Sequence, residues 1–131
     1  MANKTEITRD DIMSPEEYNA VRAERRAAMV EQKKLRRLHV GPHATFYFEN
    51  WDTMWYQIQE MLRIEKGGEA QLADELEAYN PLVPRGDELV ATLMFEIDEP
   101  VTRAKLLGGL GGVEDCMTME IDGETIVGRP E

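Results

Sequence analysis

Between Ala44 and Glu65 the period of the apolar residues changes from two to three and four, with Asn50 at the change. That switch constrains the chain more than any other feature, because a strand alternates sides at every residue whereas a helix returns to one face after three or four. Ala44, Phe46 and Phe48 alternate with Thr45 and Tyr47, which predicts a strand over 43–49 with those three residues on its buried face. His43, Tyr47 and Glu49 share the other parity. Asn50 suits a helix N-cap, since its side-chain oxygen can accept from a first-turn amide. Met54, Trp55, Ile58, Met61, Leu62 and Glu65 then trace one helical face, and Gly67-Gly68 supplies a left-handed stop.

On either side of this unit the same reasoning gives an α+β fold. Ser14-Pro15-Glu16-Glu17 is a capped helix start, and a thin apolar stripe (Tyr18, Val21, Ala28, Leu35, Leu38) carries the helix to about His39, where Gly41-Pro42 ends it. A shorter helix follows over 69–79 and is closed by Asn80-Pro81. Residues 88–97 form the clearest strand, apolar on both parities, which predicts a central position in its sheet. Pro100 opens another short helix, and Asp122-Gly123 joins strands over 116–121 and 124–127 as a hairpin. The expectation is a small, mostly antiparallel sheet packed with a long N-terminal helix and two or three shorter ones. All 131 residues form one domain, with 1–13 flexible.

Charge limits what the chain can bind. The formal net charge is −11, divided as +2 over residues 1–40 and −13 over residues 41–131. An acidic body argues against nucleic acid as the main partner, since affinity for phosphates needs a basic footprint. It favours solubility and a basic protein partner. The run Lys33-Lys34-Leu35-Arg36-Arg37-Leu38-His39 offers a nucleic-acid or membrane patch, with a solvated basic face as the plainer reading. No apolar run is long enough to span a bilayer, and the start lacks the apolar core of a secretory signal. A single cysteine, Cys116, excludes an internal disulfide framework and reads as a small buried hydrophobe on a strand. These features predict a cytoplasmic protein.

No spacing in the chain signals nucleophilic catalysis, and neither HExxH nor paired CxxC occurs. Gly108-Gly109-Leu110-Gly111-Gly112 is no phosphate loop, because it follows a helix and lacks Gly-Lys-Ser/Thr; a link or hinge is the better reading. What remains is a group of imidazoles and carboxylates. His39, His43, Glu49 and Glu60 would suit iron, zinc or manganese as a first shell. The alternative leaves His43 as an exposed strand residue, Glu60 and Arg63 as an i,i+3 ion pair and Glu49 as a carboxylate beside a helix N-terminus. Tyr47, Asn50, Gln57, Arg63, Tyr79 and Asn80 are the further polar candidates for a site.

From the Tyr18 helix onward the chain resembles the bacterial domain-of-unknown-function family 3501. The residues that carry the resemblance are Gly41, Phe48-Glu49-Asn50, Thr53, Gln57, Glu60-Met61-Leu62-Arg63, Glu65 and Tyr79-Asn80 before Pro81. The resemblance implies an accessory role in redox or peroxide handling beside rubrerythrin-like di-iron proteins and iron–sulfur oxidoreductases. It also implies that related chains continue past the equivalent of Glu131 with further strand-like sequence. Three functions therefore stand as expectations: an accessory binding protein, a metal-binding protein or metalloenzyme using the His/Glu cluster, and a nucleic-acid binder using the basic helix.

Overall fold

The structure is a computed structural model and describes residues 4–130. It is α+β, and it divides into two compact units, the first ending at Phe95 and the second starting at Glu96.

In the first unit, α1 (Pro15–Lys34) starts on Ser14, whose side chain accepts from the Glu17 amide in a reciprocal capping box. It stops earlier than the sequence suggests. Only Tyr18 and Met29 of α1 are buried, and Leu35, just past its end, is 92 % exposed. Arg36 and Arg37 therefore leave the helix, and β1 (Arg37–Val40) was not foreseen. Gly41, at a φ of +65°, begins the turn into β2 (Ala44–Phe48), and His43 lies in that turn. Asn50 caps α2 (Trp51–Glu65) through its side chain and the Thr53 amide, as the sequence predicts. The left-handed stop falls on Lys66 (φ 54°), one residue before the glycine pair. α3 (Gly68–Tyr79) runs into a 3-10 turn at Asn80–Leu82.

β3 (Ala91–Phe95) completes an antiparallel sheet in the order β1-β2-β3. The central strand is thus β2, and the doubly apolar β3 is an edge, contrary to expectation. The register pairs Leu38 with Phe46 and Phe46 with Leu93, so those three share one face; His39, Thr45 and Met94 share the other. Burial on β2 reverses the sequence expectation. Thr45 (2 % exposed) and Glu49 (9 %) are buried, while Phe46 and Phe48 are half-buried. Both polar side chains have internal partners, which is what lets them go inside.

The core holds Ile7, Tyr18, Met54, Trp55, Ile58 and Val83, edged by Trp51, Tyr56, Leu76 and Tyr79. Ile7 is held by Asn80, whose side chain accepts from the Ile7 amide (2.7 Å) and donates to its carbonyl (2.9 Å), replacing a strand partner with one carboxamide. Gln59, 1 % exposed, does the same for Met13 at 2.7 and 3.3 Å. The indole N–H groups of Trp51 and Trp55 donate to the carbonyls of Glu6 and Asp11.

The second unit contains α4 (Pro100–Gly108), capped by Glu99, and a separate two-stranded sheet of β4 (Thr118–Ile121) and β5 (Glu124–Val127). The predicted hairpin is present, with Asp122 at φ 51° and Gly123 at φ 83°, as a primed two-residue turn requires. It forms its own sheet and does not join the first. Cys116 lies before β4 and is exposed, so it is neither a strand residue nor a buried hydrophobe.

Candidate functional site

The polar residues on which the fold converges lie between α1 and α2. Tyr18 and Arg22 are four apart on α1, so both reach the same carboxylate across the seam. The Tyr18 hydroxyl donates to Glu60 Oε2 (2.9 Å), and Arg22 clamps the carboxylate from two sides, through Nε to Oε2 (3.0 Å) and Nη2 to Oε1 (2.9 Å). The Arg22 guanidinium holds the Glu60 carboxyl below the usual carboxylate range, and the Tyr18 hydrogen bond adds to this. Burial, reinforced by the bond to Glu60, pushes the Tyr18 hydroxyl far above its ordinary value. Glu60 is thus an ionised anchor. It pairs with Arg22 rather than with Arg63, which donates to Asn19 Oδ1 at 3.0 Å.

The four candidate metal ligands are placed separately. His39 sits on β1 with Nδ1 3.0 Å from Thr45 Oγ1, and His43 lies in the turn before β2. Glu49 follows β2, where burial raises its pKa and the Lys33 charge, followed by a hydrogen bond from Thr53, the Arg36 charge and a hydrogen bond from Thr92, partly offsets that rise. Glu60 is held by Arg22 and Tyr18. Among the described residues no three His, Cys, Asp or Glu side chains are grouped so as to hold a metal ion.

The other candidates are scattered by role. Tyr47 faces Arg37 and Thr92 across the sheet. Asn50 caps α2, Gln57 is half-buried on α2, Tyr79 edges the core, and Asn80 holds Ile7. Sequence reasoning missed Arg22 as the partner of Glu60, and Gln59 as the clasp on Met13. Gln57 and Gln59 both flank Ile58 in the sequence, and only the packing of α2 shows that Gln59 is the buried one.

Two concave surfaces flank this seam. One is an open groove of about 740 Å³ along α1, with Arg22, Arg26, Arg63 and Glu31 around Ala23, Ala27 and Val30. Arg26 is exposed, and Val30 is 49 % exposed. The other is a recess of about 370 Å³ walled by Trp51, Trp55 and Tyr56 of α2. The two indoles are nearly parallel (13°) with centroids 6.4 Å apart, and Tyr18 meets Trp55 edge-on at 6.0 Å.

Fold and site together define a small α+β protein in which a guanidinium–carboxylate clamp joins two helices between a basic groove and an aromatic recess. Among the described residues no helix is long and apolar enough to cross a membrane. The family model DUF3501, described as a protein of unknown function, matches residues 6–131, and the chain belongs to that family. It is similar to a novel protein of unknown function from Burkholderia pseudomallei K96243, known from a crystal structure at 1.90 Å resolution. The two share 39 % identity and a TM-score of 0.88, over 92 % of this chain and 70 % of that one. No curated protein matches the chain.

Proposed function

We propose that the chain is an accessory binding protein of a bacterial redox or peroxide-stress system. It works in the cytoplasm by docking a rubrerythrin-like protein or an iron–sulfur oxidoreductase. The observation that carries the reading is the groove along α1, where Arg26 and Arg63 stand beside the Glu60-bound Arg22 and Glu31 is the one carboxylate of the lining, on a chain whose net charge is −11. A basic groove on an acidic body orients an encounter, because an acidic surface is drawn to the basic side of α1 and repelled by the acidic excess beyond residue 40. Guanidinium groups suit carboxylates, which they bind through two parallel donors. The groove is open, which leaves room for an acidic segment of a protein. Glu49 and Glu60 are engaged inside the fold, which supports a binding role over one in turnover. The redox setting comes from the family resemblance.

The test is a titration of the purified chain against each of the two redox proteins by calorimetry, at low and at physiological salt. The account expects a complex that salt weakens, and that the double variant Arg26→Glu, Arg63→Glu weakens at least about tenfold, or about 1.4 kcal/mol. Absence of binding to either protein at low salt, or wild-type affinity in the double variant, would overturn it.

A further inference from the structure

The aromatic recess carries a second inference, independent of the groove and its partner. Each of its three rings already holds a basic group of the same chain. Lys4 Nζ lies 4.2 Å from the Trp51 ring centroid, Arg25 Cζ 5.0 Å from that of Trp55, and Lys33 Nζ 5.8 Å from that of Tyr56. Asp11 and Asp52 add carboxylates to the lining. Gln32 then supplies an acceptor with nothing to accept. Its Nε2 donates to Asp52 Oδ2 (3.2 Å), which fixes the amide orientation, because the reverse would set oxygen against oxygen. Its Oε1 is the one buried side-chain oxygen or nitrogen among the described residues without a hydrogen-bond partner. A buried acceptor left unpaired is costly, so a donor brought to it would be favoured.

Electron-rich ring faces, two carboxylates and an orphan carbonyl oxygen all select the same chemistry. They attract a cation that carries N–H donors, as the Lys4, Arg25 and Lys33 groups already over the rings illustrate. We propose that the recess binds a primary alkylammonium group. Lys4 acts as an internal stand-in: it is exposed and contributes the shortest of the three cation–ring contacts. An incoming ammonium would replace it over Trp51 and add the hydrogen bond to Gln32 Oε1. The group could arrive on a free diamine or on a lysine side chain of a basic polypeptide, and the acidic body would concentrate either one.

Trp51 and Trp55 are the chain's only tryptophans, so intrinsic fluorescence reads this recess directly. The full chain is titrated at low ionic strength with 1,5-diaminopentane, with Nα-acetyl-lysine amide and with uncharged 1-pentanol. Both ammonium compounds should give a saturable change and pentanol none. A tighter response to the diamine assigns the small-molecule source, and a tighter response to the capped lysine assigns the polypeptide source. Gln32→Leu should weaken the ammonium response about tenfold, the loss of one hydrogen bond to a charged donor. Lys4→Ala should strengthen it about two- to fivefold by removing the internal competitor. Lys4 lies outside the core, so this second variant tests the idea even if Gln32→Leu fails to fold. No saturable change up to about 10 mM, an equal response to pentanol, or weaker binding in Lys4→Ala would overturn the proposal.

Discussion

Glu49 and Glu60 have been moved in opposite directions by their surroundings, and that gives the protein a legible response to pH. Glu60 is depressed by Arg22 and Tyr18, so the unfolded chain binds its proton more readily. The clamp's contribution is therefore complete above the ordinary value of 4.5 and is lost as pH falls below it. Glu49 is raised by burial, so the folded chain takes up its proton first, and stability falls as pH climbs from 4.5 through the raised value. Glu49→Gln should accordingly raise the melting temperature at pH 7, with the gain vanishing below the ordinary carboxylate range. Glu60→Gln should flatten the acid limb of the same curve. Melting curves between about pH 3 and pH 8 check both signs, and a Glu49→Gln variant that melts lower at pH 7 would refute the burial argument. Tyr18→Phe removes one hydrogen bond to a carboxylate that Arg22 still holds. It should cost about 1 kcal/mol in chemical denaturation.

At the scale of elements, the strand-to-helix unit of β2 and α2 was legible because its signals are local. Alternation over 44–48, a capping Asn50 and an apolar stripe need no partner to be read. β1 was hidden for the opposite reason. Arg36 and Arg37 continue a basic helical surface just as well as they form a strand, and only the pairing of Arg37 with Tyr47 and Leu38 with Phe46 decides between the two. The buried parity of β2 was misread because Thr45 and Glu49 are buried with partners from other segments. In the site, Glu60 could be picked out from sequence, but Arg22 lies 38 positions away and the local ion pair with Arg63 was the simpler guess. Two predictions belong to this scale. Gln59→Leu leaves the Met13 amide and carbonyl unpaired and should cost about 1–3 kcal/mol, with faster hydrogen exchange at Met13. Lys66→Gly removes a left-handed strain at φ 54° and should stabilise the protein by about 1 kcal/mol in the same denaturation experiment.

For the molecule as a whole, the charge imbalance read from composition becomes useful once it is placed on the fold. The acidic excess lies beyond residue 40, while the Arg22–Arg26–Arg63 groove runs along α1 and the end of α2. The acidic surroundings confine an acidic partner to the basic side of α1 and so orient the encounter, at some cost in overall attraction. The most direct test is the calorimetric titration of the wild type and the Arg26→Glu, Arg63→Glu double variant against the rubrerythrin-like and iron–sulfur proteins at low salt, with melting temperature measured alongside. Binding by the wild type, at least about tenfold weaker binding by the variant, and a variant that still unfolds in one cooperative transition are the expected results. Equal affinities for the two forms, or no heat of binding with either protein, would contradict it.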